Sequence, residues 1–234
     1  ASGECALAAA ADLLRSGACE LAVAGGVDEF GDVFLTALAE RRLLHPSVCA
    51  QRRASPRGWV IPGEGAAALL LEREGSARQR GARIHAVLED AAAFGSRSAP
   101  HRLPSPSHAA RALRDCVEGF GRVDALIGLA DGGRERAAID RACLEALASP
   151  STGRPHYATF RSQTGDWGGA GTLAAALATL SLDAGALPGP EAPVPQRIAL
   201  LGAGRGGALV PICLRRPDHD ASRASAGGSQ GEPE

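Results

Sequence analysis

"ASGECALAAAADLLRSGACELAVAGGVDE", residues 1–29, carries two signals in a row. Its alanine-rich first part predicts a helix running to about Gly17 that is apolar on nearly every side, and such a helix needs neighbours all around it. The short apolar run "CELAVAGG" predicts a buried strand directly after it. A covered helix feeding a covered strand belongs to the interior of an α/β protein.

Outward from this stretch, a polar excursion leads to "GEGAAALLLERE" (63–74) and "RIHAVLEDAAAFG" (83–95), read as two more strands joined by the charged turn "GSARQRGA". Residues 95–107, "GSRSAPHRLPSPS", read as a Pro/Ser-rich surface loop. Helix and strand then alternate: helix "HAARALRDCVEGFG", strand "VDALIGLA", helix "ERAAIDRACLEALA", strand "RPHYATF", and a long helix after Gly168. The strands "QRIALL" and "ALVPICLRR" close the series. This order predicts a largely parallel sheet with an antiparallel finish. The tail from Pro217 has the composition of disorder.

With 234 residues and 45% hydrophobic content, the chain can bury the core of one domain or two small ones. A formal net charge of -1 gives no basic surplus for nucleic acid or an anionic membrane. No apolar run reaches the roughly 18 residues of a membrane span, and residues 1–17 lack a signal-peptide pattern. A cytoplasmic location is expected. All 25 basic residues are arginine, so Schiff-base and P-loop lysine chemistry have no residue to use. Cys5, Cys19, Cys49, Cys116, Cys143 and Cys213 are scattered, without a C-x-x-C pair, and read as buried free thiols. The histidines show no ligand spacing, so no metal is expected.

Two strand ends carry acids. "LADGG" places Asp131 at the C-terminal end of a predicted parallel strand, where open α/β sheets keep their ligand crevice; the alternative is that it caps the next helix. "TGDWGGAG" places Asp166 at the mouth of the long helix, where free backbone N–H groups favour an anion. Two such acids are a candidate general acid/base pair. "GAGRGG" (202–207) satisfies G-x-G-x-x-G, yet a strand comes after it where a dinucleotide fingerprint needs a helix. A glycine hairpin with close backbone approach is the better reading.

From Ala1 to about Arg216 the chain resembles the C-terminal part of a β-ketoacyl synthase. Residues 1–29 resemble the segment after the nucleophilic cysteine in those enzymes, the buried helix and the V-A-G-G strand, and start one residue after that cysteine's position. "GWVIPGEGAAALLLE" (58–72) resembles the family's G-[FY]-V-x-G-[ED]-G-A strand, with one extra residue before Gly63. The resemblance implies an α/β, thiolase-like fold, incomplete: the end of a first half (1–94, with crossover strands), a whole second half (95–216) and a tail (217–234). The two halves of that fold pack around a central helix layer. The first helix and "LAVAGG" are therefore expected to lack part of their covering, and a complementing N-terminal fragment of the same protein to supply it.

The family's A-H-G-T and K-S-x-x-G-H motifs read "ADGG" and "RSQTGD" here. By resemblance, Asp131 and Asp166 stand where two histidines promote decarboxylation of a malonyl thioester, and Arg161 where a lysine stands. These are expected to be vestigial catalytic positions. "GRGGAL" replaces the G-F-G-G-T-N gate, with Arg205 between Gly204 and Gly206 in place of the gating phenylalanine. The A-D motif, the G-R-G-G turn and "PGEG" together resemble the chain-length factor, the silent partner of the ketosynthase in bacterial type II polyketide synthases. That implies no cofactor, and a catalytic ketosynthase subunit and an acyl carrier protein as partners. Two rivals stand beside it: an active acyltransferase or hydrolase using Asp131 and Asp166, and a decayed paralogue or interaction module. Asp131, Asp166, Arg161 and Arg205 are expected to line the pocket as an ion-paired cluster.

Overall fold

The computed structural model describes residues 1–44, 60–95, 102–151, 153–189 and 192–218. In chain order the elements are α1 (Ser2–Ser16), β1 (Leu21–Asp28), α2 (Asp32–Glu40), β2 (Gly65–Glu72), α3 (Glu74–Gln79), β3 (Val87–Ala91), β4 (Phe94–Gly95) and α4 (Pro106–Val117). They continue with β5 (Ala125–Ile127), α5 (Arg134–Leu147), β6 (His156–Ala158), α6 (Arg161–Thr164), α7 (Ala170–Ala184), β7 (Arg197–Ala203) and β8 (Ala208–Arg215).

Two sheets form. β1 and β2 pair antiparallel, with Val23 opposite Leu70 and Val27 opposite Ala66. The larger sheet runs β3-β8-β7-β5-β6, with β4 beside β3 on the same edge of β8. Among the described residues of this sheet, the β5–β6 and β5–β7 pairs are parallel, while β7–β8, β3–β8 and β4–β8 are antiparallel. The sheet is thus more mixed than the alternating pattern predicted, because β8 returns along β7 by a tight turn and β3 and β4 then line its far edge in the opposite sense. Pro211 sits inside β8, opposite Leu201. Its carbonyl faces Ala92, in the break between β3 and β4, so the N–H it lacks is missed where no regular ladder runs.

Successive residues of β7 feed opposite faces of this sheet. Ile198 and Leu200 join Leu7, Ala8 and Ala10 of α1 and Ala175, Ala178 and Leu182 of α7 in one core. Ala199 and Leu201 join Ala109, Leu113 and Cys116 of α4 and Ile139 and Cys143 of α5 in the other. The layer of α1 and α7 then lies between the large sheet and β1–β2, as a central helix layer requires. Ser105 caps α4 by accepting from the His108 N–H, with Pro106 at the first turn. Gly17 and Gly185 end α1 and α7 in the left-handed conformation.

Several elements depart from the sequence reading. α1 is not left bare: Leu7 and Ala8 are fully covered within this chain, because α7 and the large sheet take its inward face. Among the described residues the outer face of β1–β2 lies open, with Val23, Val27 and Leu70 73%, 77% and 59% exposed. The polar excursion contains α2, none of whose residues is buried. The charged turn is α3, held by Glu74–Arg78 at i, i+4. "RIHAVLEDAAAFG" makes two strands, not one. No helix among the described residues is long and apolar enough to cross a membrane. Cys5, Cys19, Cys116, Cys143 and Cys213 are free thiols, the last three buried. Burial pushes the Cys116 and Cys143 thiols up to about 12. Cys49 and most of the tail lie outside the described residues.

Candidate functional site

Asp131 stands just past the tip of β5, and its side chain is 1% exposed. One carboxylate oxygen accepts from the Gly133 N–H at 3.0 Å; the other accepts from Nη1 of Arg136 at 2.5 Å. Gly133 is the residue flanking α5, so Asp131 folds the approach to the helix and does not cap the amides of its first turn. Its placement comes from Asp140 on α5, which accepts from the Leu129 and Ala130 N–H groups and the Tyr157 hydroxyl, all at 2.7–2.9 Å. Gly128 makes this possible, since a Cβ there would run into Asp140 and Tyr157. Burial raises the Asp140 carboxyl above the usual carboxylate range despite these donors.

Asp166 arrives from the other direction. Its loop pairs with the strand-like segment 60–63: the Asp166 N–H donates to Ile61 at 2.7 Å and the Gly63 N–H to Asp166 at 3.2 Å. Gly63 and Gly165 permit this approach, because a Cβ on Gly63 would lie 2.8 Å from the Gly165 Cα. Nη2 of Arg136 donates to Oδ2 of Asp166, and Nη1 of Arg161 donates to Oδ1 at 2.5 Å. Asp166 does not cap the long helix. Its carboxylate is taken by the two arginines, while Asp28 accepts from the Gly168 N–H at 2.9 Å.

One chain of charge therefore runs Asp131–Arg136–Asp166–Arg161–Glu4, with Nη2 of Arg161 3.4 Å from Oε1 of Glu4. Arg136, Arg161 and Glu4 are 8%, 8% and 2% exposed. Burial alone would raise the pKa of Asp166, but Arg136 and Arg161 outweigh it and hold the carboxyl below its ordinary value. Burial opposes the charge on Arg136 as well, and Asp166 and Asp131 together hold that guanidinium above its ordinary value. The two acids do meet, through a shared guanidinium. Each accepts from arginine, and for Asp166 this suits a fixed negative charge and not a proton donor.

Arg205 reaches the crevice beside Asp131 from another element. It lies in the β7–β8 turn, 3.4 Å from Glu135 and about one-third exposed. It shares an open crevice with Asp131, Gly133, Glu135, Arg136, Val60 and Leu103, so it stands at the rim and outside the buried chain of charge. Gly204 and Gly206 shape the turn: the Gly204 N–H donates to Ala208 and the Gly206 N–H to Arg102. The close approach predicted for "GAGRGG" occurs at Gly202, where the neighbour is the Glu4 side chain rather than another backbone.

Arg136, Glu4 and Asp140 escaped the sequence reading. Arg136 and Asp140 look like ordinary polar positions of an amphipathic helix. Glu4 did offer a signal, as the lone acid in the first turns of an alanine-rich helix.

The fold is thiolase-like. Residues 1–77 match the family described as Beta-ketoacyl synthase, N-terminal domain. A stretch of 126 residues is 36% identical to the pikromycin polyketide synthase component PikAIII of Streptomyces venezuelae, covering 51% of this chain and 8% of that protein. Among solved structures, the ishigamide ketosynthase/chain length factor superposes with a TM-score of 0.77 at 21% identity, over 93% of this chain and 59% of that one. The ketosynthase complex AntDE:AntF, described as a type II acyl-carrier protein with its ketosynthase bound to the hexaketide, gives 0.78 at 18%, over 92% and 61%. The chain thus spans about three-fifths of these solved chains and a small part of the curated relative. Over its first 77 residues it is similar to the β-ketoacyl synthase family.

Proposed function

We propose that this chain is a non-catalytic, chain-length-factor-like subunit of a ketosynthase heterodimer in polyketide or related fatty-acyl biosynthesis, where it shapes the tunnel that holds the growing chain. The observation that carries this reading is the ion-paired state of Asp131 and Asp166, the positions that resemble the family's two histidines. A decarboxylating condensation builds negative charge on an enolate oxygen, and a fixed carboxylate about 4 Å away opposes it by roughly 4 kcal/mol at an effective dielectric of 20. Arg136 and Arg161 soften that repulsion but are already engaged by the acids. The likeness to a ketosynthase/chain length factor and to a type II ketosynthase complex supports the same reading. A catalytic ketosynthase subunit, an acyl carrier protein and an N-terminal polypeptide completing the β1–β2 side are the partners it calls for.

The rival acyltransferase or hydrolase needs one of the two acids to move a proton. Asp166, held ionised between two guanidinium groups, is poorly suited to donate one.

The test is reconstitution. The complete protein is mixed with a candidate ketosynthase and malonyl-loaded carrier protein, and Asp131→Asn and Asp166→Asn are compared with the parent at equal folded fraction. Unchanged turnover, with product length altered by enlarging tunnel side chains, is the expected result. Loss of turnover while the partner's nucleophile is intact favours the acyltransferase reading, and no association at all favours a decayed paralogue.

A further inference from the structure

β1 and β2 form a strip with the dimensions of a single helix. Each strand holds eight residues, about 23 Å of chain, and the two lie about 4.8 Å apart. Leu21, Val23, Gly25 and Val27 point to the outer side, with Glu72, Leu70, Ala68 and Ala66 as their partners. The surface is low in the middle, where Gly25 faces Ala68, and high where Val23 faces Leu70. One helix, about 10–12 Å across with its side chains, covers both strands, and about 15 residues of it run their length.

The two ends of the strip differ in charge. Asp28, Glu29, Asp32 and Glu64 gather at the Val27–Ala66 end. Asp28 accepts from the Gly168 N–H and Glu64 from the Phe30 N–H at 3.3 Å. Glu29, Asp32 and Glu64 are exposed, and among the described residues none of the three is ion-paired. At the Leu21–Glu72 end, Arg80 engages Glu72 at 2.7–3.1 Å and Arg78 engages Glu74 at 2.6 Å. Arg73 and Glu20 stand exposed beside them, so acids and arginines balance there.

A helix laid along the strip sets its positive dipole end over one end and its negative dipole end over the other. The acid end favours the helix N-terminus and a basic side chain beside it. We propose that the outer face of β1–β2 docks one apolar helix of a second polypeptide, about four turns long, with its N-terminal turn and an arginine or lysine of that turn at Glu29 and Glu64. The saddle at Gly25 and Ala68 takes a large side chain of the helix, and Val23 and Leu70 take small ones. β1 and β2 then bury apolar side chains on both faces, which suits their near-continuous apolar sequences. The inference deepens the need for a completing polypeptide stated above, and rests on that reading for the source of the helix.

The experiment titrates the full chain with a fluorescent synthetic peptide of about 15 residues. The peptide carries leucine and alanine along one helical face, arginines in its first turn and a photoreactive group on its first residue. The expected result is saturable binding at or below about 1 mM, crosslinks to residues 27–34 or 62–66, and loss of binding in Val23→Thr, Val27→Thr and Leu70→Thr combined. Glutamate in place of the first-turn arginines should weaken binding about fivefold or more. In Glu29→Gln combined with Glu64→Gln the two peptides should differ by less than about twofold. Crosslinks to residues 70–80, equal binding of a peptide with its apolar residues out of helical period, binding that survives the triple variant, or no saturation in that range overturns the site. A dimer of the chain that the peptide fails to displace gives the face to a second copy and overturns it too. No ketosynthase is present in this titration, so failure of the helix site shows here and failure of the subunit reading shows in reconstitution.

Discussion

Glu4 and Arg161 stand 157 residues apart in the chain and meet in its interior, Oε1 to Nη2 at 3.4 Å. The contact ties the first turn of α1 to the start of α6, and Glu4 fits there only because Gly171 and Gly202 have no Cβ. Through Arg161 and Asp166 it leads to Arg136, a cation that serves both Asp131 and Asp166.

Arg136 is therefore predicted to matter most to stability. Arg136→Met leaves Asp131 and one oxygen of Asp166 without a cation, and breaking one side of a buried pair costs about 3–5 kcal/mol. Glu4→Gln keeps the shape and removes one charge, so a loss of about 1–3 kcal/mol is expected. Arg205→Ala, at the half-open rim, should cost no more than about 1 kcal/mol. Urea unfolding of the three variants checks the order; a larger loss at Arg205 than at Arg136 contradicts it.

Acid should find the same network. Asp166 has its folded pKa below the unfolded value of about 3.9, so its pairing contributes fully above about pH 4 and is lost as pH falls through the folded value. Asp140 works in the opposite sense: its raised pKa gives a contribution that is full below about pH 4 and is lost as pH rises through the folded value. Glu89 and Asp183, both lowered, keep part of the acid limb in any Asp166 variant. Melting temperature against pH for Asp166→Asn should accordingly fall less steeply below about pH 4 than for the parent. An unchanged slope would remove the argument for a depressed Asp166.

How far the sequence carried depended on whether a signal was local. α1, β1 and the long helix after Gly168 were legible because an unbroken apolar run or a 3.6-residue period is written in consecutive residues. Asp131 and Asp166 were legible because each comes just after a predicted strand. Arg136 was not, since nothing local distinguishes an arginine turned inward on α5 from one in water; its role exists only once the loop 164–167 pairs with 60–63. α3 was hidden because its glycine and arginines resemble a turn, and its i, i+4 ion pair is a property of the folded helix. The break between β3 and β4 likewise depends on where Pro211 lands in the neighbouring strand.

Gly26 reports on the seam between β1 and the start of α7. A Cβ there would lie 2.5 Å from the Cα of Gly169 and 3.1 Å from its N, both backbone atoms that cannot step aside. Gly26→Ala is expected to cost about 1–3 kcal/mol or more by overpacking. Gly75, inside α3 with nothing near its added Cβ, is the control: Gly75→Ala should be neutral or stabilising by up to about 1 kcal/mol. Thermal denaturation of the pair decides, and equal losses would mean that backbone freedom, not contact, governs both.

The outer face of β1–β2 yields the last prediction. Strand alternation turns Leu21, Val23 and Val27 outward, and the register sets Leu70, Ala68 and Ala66 beside them, so the apolar side chains form one continuous surface. Their opposite neighbours, Ala24 among them, face α1 and α7 and are covered. Apolar residues this exposed contribute little to the fold of the chain by itself, yet a contiguous patch favours association. Val23→Thr, Val27→Thr and Leu70→Thr combined keep strand-compatible side chains, so the melting temperature should move by no more than about 2 °C. Self-association in sedimentation and binding of a hydrophobic dye should both fall. Leu7→Ala, on the covered side, should cost about 2–5 kcal/mol. A triple variant that melts as early as Leu7→Ala would mean the face is already occupied within this chain.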